Sequence, residues 1–253
     1  MPAMGISGPC DPIALFTLSV AECMGGAAIL SELLPDVPVE IGSHPQPAEM
    51  RSGAMVFGSS EWQILDLMHK EVFDYLGHAY PFKHLLTSAA LPNLQCQTER
   101  ATGALLGVLG RYAGFEPLGQ IGLDLVWCPE QLLLDLDIIG EALRIGEGAY
   151  SAPGLELDRL ADVVDEVVRS GGLFAEHETT VKNFRQQYRQ PAILQRLIPS
   201  HWEAAGRPDV FREAQRQADA LVAAYDYEAP QDILRELRSI YSGARERLAS
   251  LAL

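Results

Sequence analysis

Basic residues are scarce in this chain, with 19 Lys and Arg against 34 Asp and Glu in 253 residues and a formal net charge of −15. Binding to phosphate backbones requires clustered Lys and Arg, so the composition argues against a nucleic-acid partner. The deficit is uneven: residues 1–181 hold 25 acids and 8 bases, whereas 182–253 hold 9 and 11, which implies two regions. The acidic part mildly favours a cationic ligand, although the ordinary solubility of an acidic protein accounts for the same numbers. Cysteine is also rare. Cys10, Cys23, Cys96 and Cys128 form no C-x-x-C pair and have no His at metal-ligand spacing, so they read as reduced, mostly buried thiols. A zinc site assembled only in three dimensions stays open. No uncharged apolar run reaches the roughly 18 residues that a bilayer span needs. The longest candidate, Pro12 to Leu30, contains Glu22, Gly25 and Gly26 and reads as a buried helix. The first residues lack a basic n-region, which makes the cytosol the expected compartment. A Walker loop, an H-E-x-x-H helix, a Ser-His-Asp order and a dinucleotide fingerprint are all missing.

What is present is 48% hydrophobic residues, enough for one sizeable core. Short β-prone runs alternate with helical patterns, the rhythm of βα units around a parallel sheet. The first unit runs from Met4-Gly5-Ile6-Ser7 through a turn to a helix with Asp11 as N-cap and Pro12 at its start, ending near Leu34. The second has a strand Val39–Ser43 and a helix from Ser59-Ser60, where Ser60 with Gln63 fits a capping box. A third joins a weak strand at Ala79–Phe82 to a helix over Asn93–Tyr112. A fourth joins Leu118–Gly122, as strand, through a loop Asp124–Trp127 to a helix from Cys128-Pro129-Glu130. From Leu155 onward every strong pattern is helical, with further helices near 178–189, 208–225 and 230–250. The expected architecture is α/β, with about four parallel strands over residues 1–154 and a helical extension over 155–253. Four parallel strands leave open edges, so an oligomer is expected.

The run Arg51-Ser52-Gly53-Ala54-Met55-Val56-Phe57-Gly58-Ser59 resembles the segment after a barrel strand in the trimethylamine/glycine-betaine corrinoid methyltransferase family. Further anchors lie in the family's order: Gly8–Leu15 before it, then Leu91–Leu106, Ser170–Arg185 and His201–Asp209. Family members are close to twice this length. The resemblance therefore implies the C-terminal half of a TIM (β/α)₈ barrel, roughly strands 5 to 8, plus terminal helices. It implies an activity too, namely transfer of a methyl group from a tertiary or quaternary amine such as trimethylamine or glycine betaine to the cobalt of a separate corrinoid protein, as in methanogenesis and other one-carbon metabolism. No pyrrolysine is present, which places the chain with homologues that act on quaternary amines. Where family members carry an acidic, lysine-containing run, this chain has Thr87 to Gln95; if that loop lines the site, the substrate differs or activity is lost. On the same basis no cofactor is tightly bound, the corrinoid comes with a partner, and a second chain is a candidate source of the N-terminal half barrel. The alternative is a non-catalytic fragment or relic of such a barrel, acting as a binding or structural partner.

Barrel sites sit at the C-terminal ends of the strands. Ser7, Ser43, Gly122 and Asp124 follow expected strands, and Asp124 is suited to pair with a cation. Tyr80, Phe82 and Trp127 offer aromatic faces to an ammonium, a contact of roughly 0.5–2 kcal/mol. Together these seven are the candidate substrate-binding residues; the alternative is core or loop packing, the commoner role of aromatics, for Tyr80, Phe82 and Trp127, and an ordinary turn or cap role for Ser7, Ser43 and Asp124. His177, at a turn before a helix, is the candidate corrinoid contact by resemblance, with a surface capping position as its alternative.

Overall fold

The structure is a computed structural model that describes residues 1–39, 42–77, 80, 82–149 and 157–251. Asp11 starts the first helix, α1 (Pro12–Leu33), by accepting the Ala14 N–H, and Pro12 fills its first turn without needing a donor. Ser59 does the same for α2 (Ser60–Tyr75) through the Trp62 N–H, so the cap falls one residue before the expected Ser60. Asn93 caps α3 (Leu94–Leu109) through the Cys96 N–H. The helix α4 (Pro129–Ala149) begins at a proline as expected.

Among the described residues, four short strands lie between these helices. β1 (Phe82–His84) pairs in parallel with β2 (Gly114–Glu116), Lys83 opposite Phe115, and the Leu85 N–H extends the ladder to the Glu116 carbonyl at 2.7 Å. Ala3 and Gln46 make an isolated parallel bridge. β3 (Gln120–Ile121) and β4 (Val126–Trp127) form an antiparallel pair. The molecule is thus a mixed α/β structure, and no closed sheet is seen among the described residues. The strand expected at Ala79–Phe82 lies two to three residues later, and Ala79 and Pro81 are outside the described residues. The strand expected at Val39–Ser43 falls partly on the undescribed Glu40 and Ile41, and the parallel contact is made by Gln46. The expected loop 124–127 holds a strand because Gly122, Leu123 and Asp124 have φ of 61°, 57° and 65°, a left-handed run that turns the chain back on itself.

The core is built on α3 and α4. Leu85, Ala104 and Ala142 are buried, with Val108, Phe115 and Ile138 packed around them. Gly107 is needed here, because a Cβ at that position would lie 2.5 Å from the Phe115 ring and 2.9 Å from Lys83. A polar network runs through the same layer. Fully buried Arg100 on α3 pairs with Asp135 on α4 at 2.8 Å and donates to the Pro117 and Gln120 carbonyls, while Asp135 accepts the Gly119 N–H. These bonds fix the β2–β3 connection against both helices.

After residue 157 the described elements are all helical: α5 (Leu157–Ser170), α6 (Glu178–Gln187), α7 (Pro199–Ala204), α8 (Val210–Ala223) and α9 (Gln231–Leu251). The boundary expected at 154/155 lies outside the described residues. By internal contacts the chain divides into Met1–Gln215 and Arg216–Leu253, the second holding the end of α8 and all of α9. In the first unit Asp137 on α4 anchors the segment after α6, accepting the N–H groups of Ala192, Ile193 and Leu194 and a guanidinium N–H of Arg189. Burial alone would raise its pKa, but these donors hold it below the usual carboxylate range.

One expectation about α1 fails. Only Leu15, Phe16 and Ser19 are buried, and Ile13, Met24, Ile29 and Leu33 are each more than half exposed. With a mean hydropathy of 1.8 over its best 18-residue window, α1 is long and apolar enough to cross a membrane by length and composition. Of the cysteines, Cys96 and Cys128 are buried as expected, Cys23 is half-buried and Cys10 is exposed; all four are free thiols.

Candidate functional site

The candidate residues fall into two groups at opposite ends of the strands. Ser7 follows the Ala3 bridge, and Gly122, Asp124 and Trp127 follow or close the β3 turn. Ser43 and Tyr80 instead precede Gln46 and β1, so they stand at strand entrances and not after strand ends. Phe82 is the first residue of β1 and is half-exposed.

At the exit end a belt of contacts links successive loops. Gly5 lies against Met50 and Gly53 against Ile6. Ser88 accepts the Phe57 N–H at 2.8 Å and donates to the Phe57 carbonyl. The Leu123 N–H donates to the Thr87 carbonyl, and the Gly122 N–H to Ala89 at 2.7 Å. Glu99 on α3 closes the belt from beneath, accepting Thr87 Oγ1 at 2.5 Å, the Ser88 N–H and the Gln95 amide. A Cβ on Gly58 would meet both the Leu86 carbonyl and Glu99, which explains why this loop needs glycine at φ 75°. Glu99 lies within the Leu91–Leu106 run that carries the family resemblance, but nothing in the residues singles it out beyond its i, i+4 spacing from Gln95.

Asp124 is exposed in the belt, and partial burial raises its carboxyl above the usual range, with Arg100 and His84 opposing. Trp127, 57% exposed, lines a cavity of about 440 Å³ with Leu91, Val126, Cys128, Glu130 and Phe211. Its surface is largely apolar, with a carboxylate at the edge. Ser7 has a turn role, its hydroxyl accepting the Ala3 N–H at 2.8 Å. His177 is the N-cap of α6, taking the Thr179 N–H, with Glu166 3.6 Å from its Nε2.

At the entrance end a denser cluster surrounds Asp66 of α2. Lys83 Nζ is 2.5 Å from Asp66 Oδ2, and the Tyr80 and Tyr112 hydroxyls donate to the same carboxylate. Burial by itself would raise the Asp66 pKa, but His84 and Lys83 bring it below the usual range. His69 stacks on Tyr80 at 3.9 Å and meets His44 edge-on at 4.7 Å. Burial lowers His69 to about 3, which leaves it neutral near pH 7; it lowers His44 as well and raises the Tyr80 hydroxyl. Ser43 adds a 2.5 Å hydrogen bond to Ser19, tying this end to α1. Of the cluster, only Tyr80 and Ser43 figure in the sequence reading. Among the described residues no group of three His, Cys, Asp or Glu is arranged to hold a metal.

A profile of the trimethylamine methyltransferase (MTTB) family matches residues 2–247. The trimethylamine methyltransferase MttB2 of Methanosarcina mazei is 22% identical over 96% of this chain and 49% of its own length. MttB of Desulfitobacterium hafniense is 26% identical over 95% of the chain and 48% of its own length. A glycine betaine methyltransferase from Desulfitobacterium hafniense is 23% identical over 78% of the chain and 41% of its length. The chain spans about half the length of these curated relatives, and with a family match across nearly all of its residues it belongs to the trimethylamine methyltransferase family.

Proposed function

We propose that the chain is half of a (β/α)₈-type barrel acting in methyl transfer from a tertiary or quaternary amine to the corrinoid of a partner protein. The observation that carries this reading is the family match over residues 2–247. The relatives' names supply the substrate class, trimethylamine and glycine betaine.

In such a reaction a methyl carbon leaves a nitrogen, which departs as a neutral amine, and bonds to a cobalt that the partner supplies. No proton has to move in that step when the amine is quaternary. The chain's own residues then have three tasks: to bind a cation, to orient it, and to keep water away. The exit-end belt supports that assignment, since its backbone hydrogen bonds and the buttress of Glu99 hold the loops without using up Asp124 or the exposed face of Trp127. Trp127 receives the ammonium on its ring and Asp124 supplies the charge. Ser7 and Gly122 shape the rim, and Phe82, half-exposed at the start of β1, offers a further aromatic face. Ser43 and Tyr80 are assigned to the entrance cluster, with no substrate contact. His177 is retained as a corrinoid-protein contact through the exposed turn that it caps.

The test mixes the chain with a corrinoid protein in its reduced state, a polypeptide corresponding to the other half of the family's length, and either amine. Cobalt methylation is followed by absorbance. Turnover that requires all three components supports the reading. Absence of methylation with both amines sinks it and leaves the chain as a non-catalytic relative with a binding or structural role.

A further inference from the structure

The cavity of about 440 Å³ at the exit end falls within the roughly 300–1,000 Å³ in which proteins hold small molecules. It is lined by Leu91 and Pro92 from the loop before α3, Trp127 of β4, Glu130 in the first turn of α4, and Phe211 and Gln215 of α8. All of these lie in the first compact unit, Met1–Gln215. Gly119 makes room for the Trp127 ring, since a Cβ there would come within 3.0 Å of the indole nitrogen. Two aromatic rings and aliphatic side chains around one carboxylate suit a cation with an apolar surface, because the ring faces attract the charge and alkyl groups match the rest. A fully alkylated ammonium also has no N–H that such a lining would leave without an acceptor.

The same lining is ill-suited to a carboxylate. Among the described residues that form it there is no Lys, Arg or His. A helix N-terminus ordinarily offers its first N–H groups to an anion, but that of α4 is closed. Pro129 has no N–H, the Glu130 and Gln131 N–H groups hydrogen-bond the Cys128 sulfur, and the Leu132 N–H donates to the Cys128 carbonyl at 3.1 Å. Cys128 is itself a neutral thiol that donates to Glu130 Oε2 at 3.0 Å. Arg100, whose charge reaches Asp124, is 0% exposed and turned to Asp135 and to the Pro117 and Gln120 carbonyls. Asp124, two residues before β4, adds a second carboxylate to this end. A zwitterion bound here would bring its carboxylate beside like charges with no cationic partner.

We propose that this cavity holds a quaternary ammonium ion whose substituents are uncharged, with Glu130 as its counter-charge and Trp127 and Phe211 as its aromatic contacts, in preference to a zwitterionic betaine. The proposal rests on the methyl-transfer reading for the role of the site, but not for its binding preference. Cation binding without cobalt methylation leaves it standing and sinks that reading; methylation from glycine betaine, bound in preference to the cations, does the reverse.

Isothermal titration calorimetry of the 253-residue chain with tetramethylammonium chloride, choline chloride and glycine betaine, at matched ionic strength, tests it. The two cations should each saturate one site, with dissociation constants roughly tenfold or more below that of glycine betaine. Glu130→Gln should weaken tetramethylammonium by roughly tenfold and remove most of its advantage over glycine betaine, with helical circular dichroism unchanged. Phe211→Leu should weaken both cations about threefold, and Trp127→Leu replaces it if that variant fails to fold. Glycine betaine binding as tightly as either cation, no saturable binding of the cations, or a wild-type preference in Glu130→Gln would overturn the proposal.

Discussion

Lys83 and Asp66 meet at 2.5 Å with side chains 0% and 3% exposed, so β1 is pinned to α2 by an ion pair that water does not reach. Breaking such a pair from one side leaves an uncompensated buried charge, at a cost of about 3–5 kcal/mol. Lys83→Met is expected to lose that much in urea unfolding. The double variant Lys83→Met/Asp66→Asn should recover a substantial part of it. A double variant as unstable as the sum of the single ones would show that the two groups act independently.

The histidines beside this pair make the fold acid-sensitive. His69 falls from 6.5 to about 3 in the folded chain, and burial shifts His44 in the same direction. A depressed folded pKa means that the stability is fully present above pH 6.5 and drains away as pH falls toward 3. At pH 5 the His69 contribution alone amounts to about 2 kcal/mol, at 1.36 kcal/mol per unit. Unfolding free energies at pH 7 and pH 5 measure it, and His69→Phe should flatten the dependence. A slope unchanged in His69→Phe would contradict the assignment.

Two helical glycines are expected to respond oppositely to alanine. At Gly107 a Cβ would press on Phe115 and Lys83, and overpacking of this kind costs about 1–3 kcal/mol. At Gly26 it would meet nothing within 4 Å, and Gly→Ala in an open helical position stabilises by about 0.5–1 kcal/mol. Thermal unfolding of the two variants, compared at one protein concentration, reads both signs.

The helices were legible because their signals are local: Asp11-Pro12, Ser59, Asn93 and Cys128-Pro129 mark the starts of α1 to α4 within a residue or so. The strands were not, because two- and three-residue strands carry no period to count. β2 has only Gly-Phe-Glu to announce it, and the β3–β4 turn depends on backbone conformations at Leu123 and Asp124 that neither residue type signals. The two-residue slip at β1 moved Tyr80 from an imagined strand exit to an observed entrance. α1 misled for a different reason, since apolar composition shows that a helix must be covered without showing by what. The Asp66 cluster joins residues 44 to 112 in sequence, and no spacing rule connects them.

The entrance cluster and the exit belt make separable demands on activity. Tyr80→Phe removes a hydroxyl that bridges Asp66 and His84 and is expected to lower stability by about 1–3 kcal/mol, the cost of leaving buried partners unsatisfied. It should leave the KM for the amine unchanged.

The central claim concerns the other end, and cobalt methylation by the reconstituted system tests it most directly. Trp127→Ala and Asp124→Ala are expected to reduce kcat/KM for the amine at least tenfold, about 1.4 kcal/mol or more of lost binding, with folding and corrinoid-protein affinity intact. Wild-type rates in both variants would contradict the site proposed at the exit-end loops.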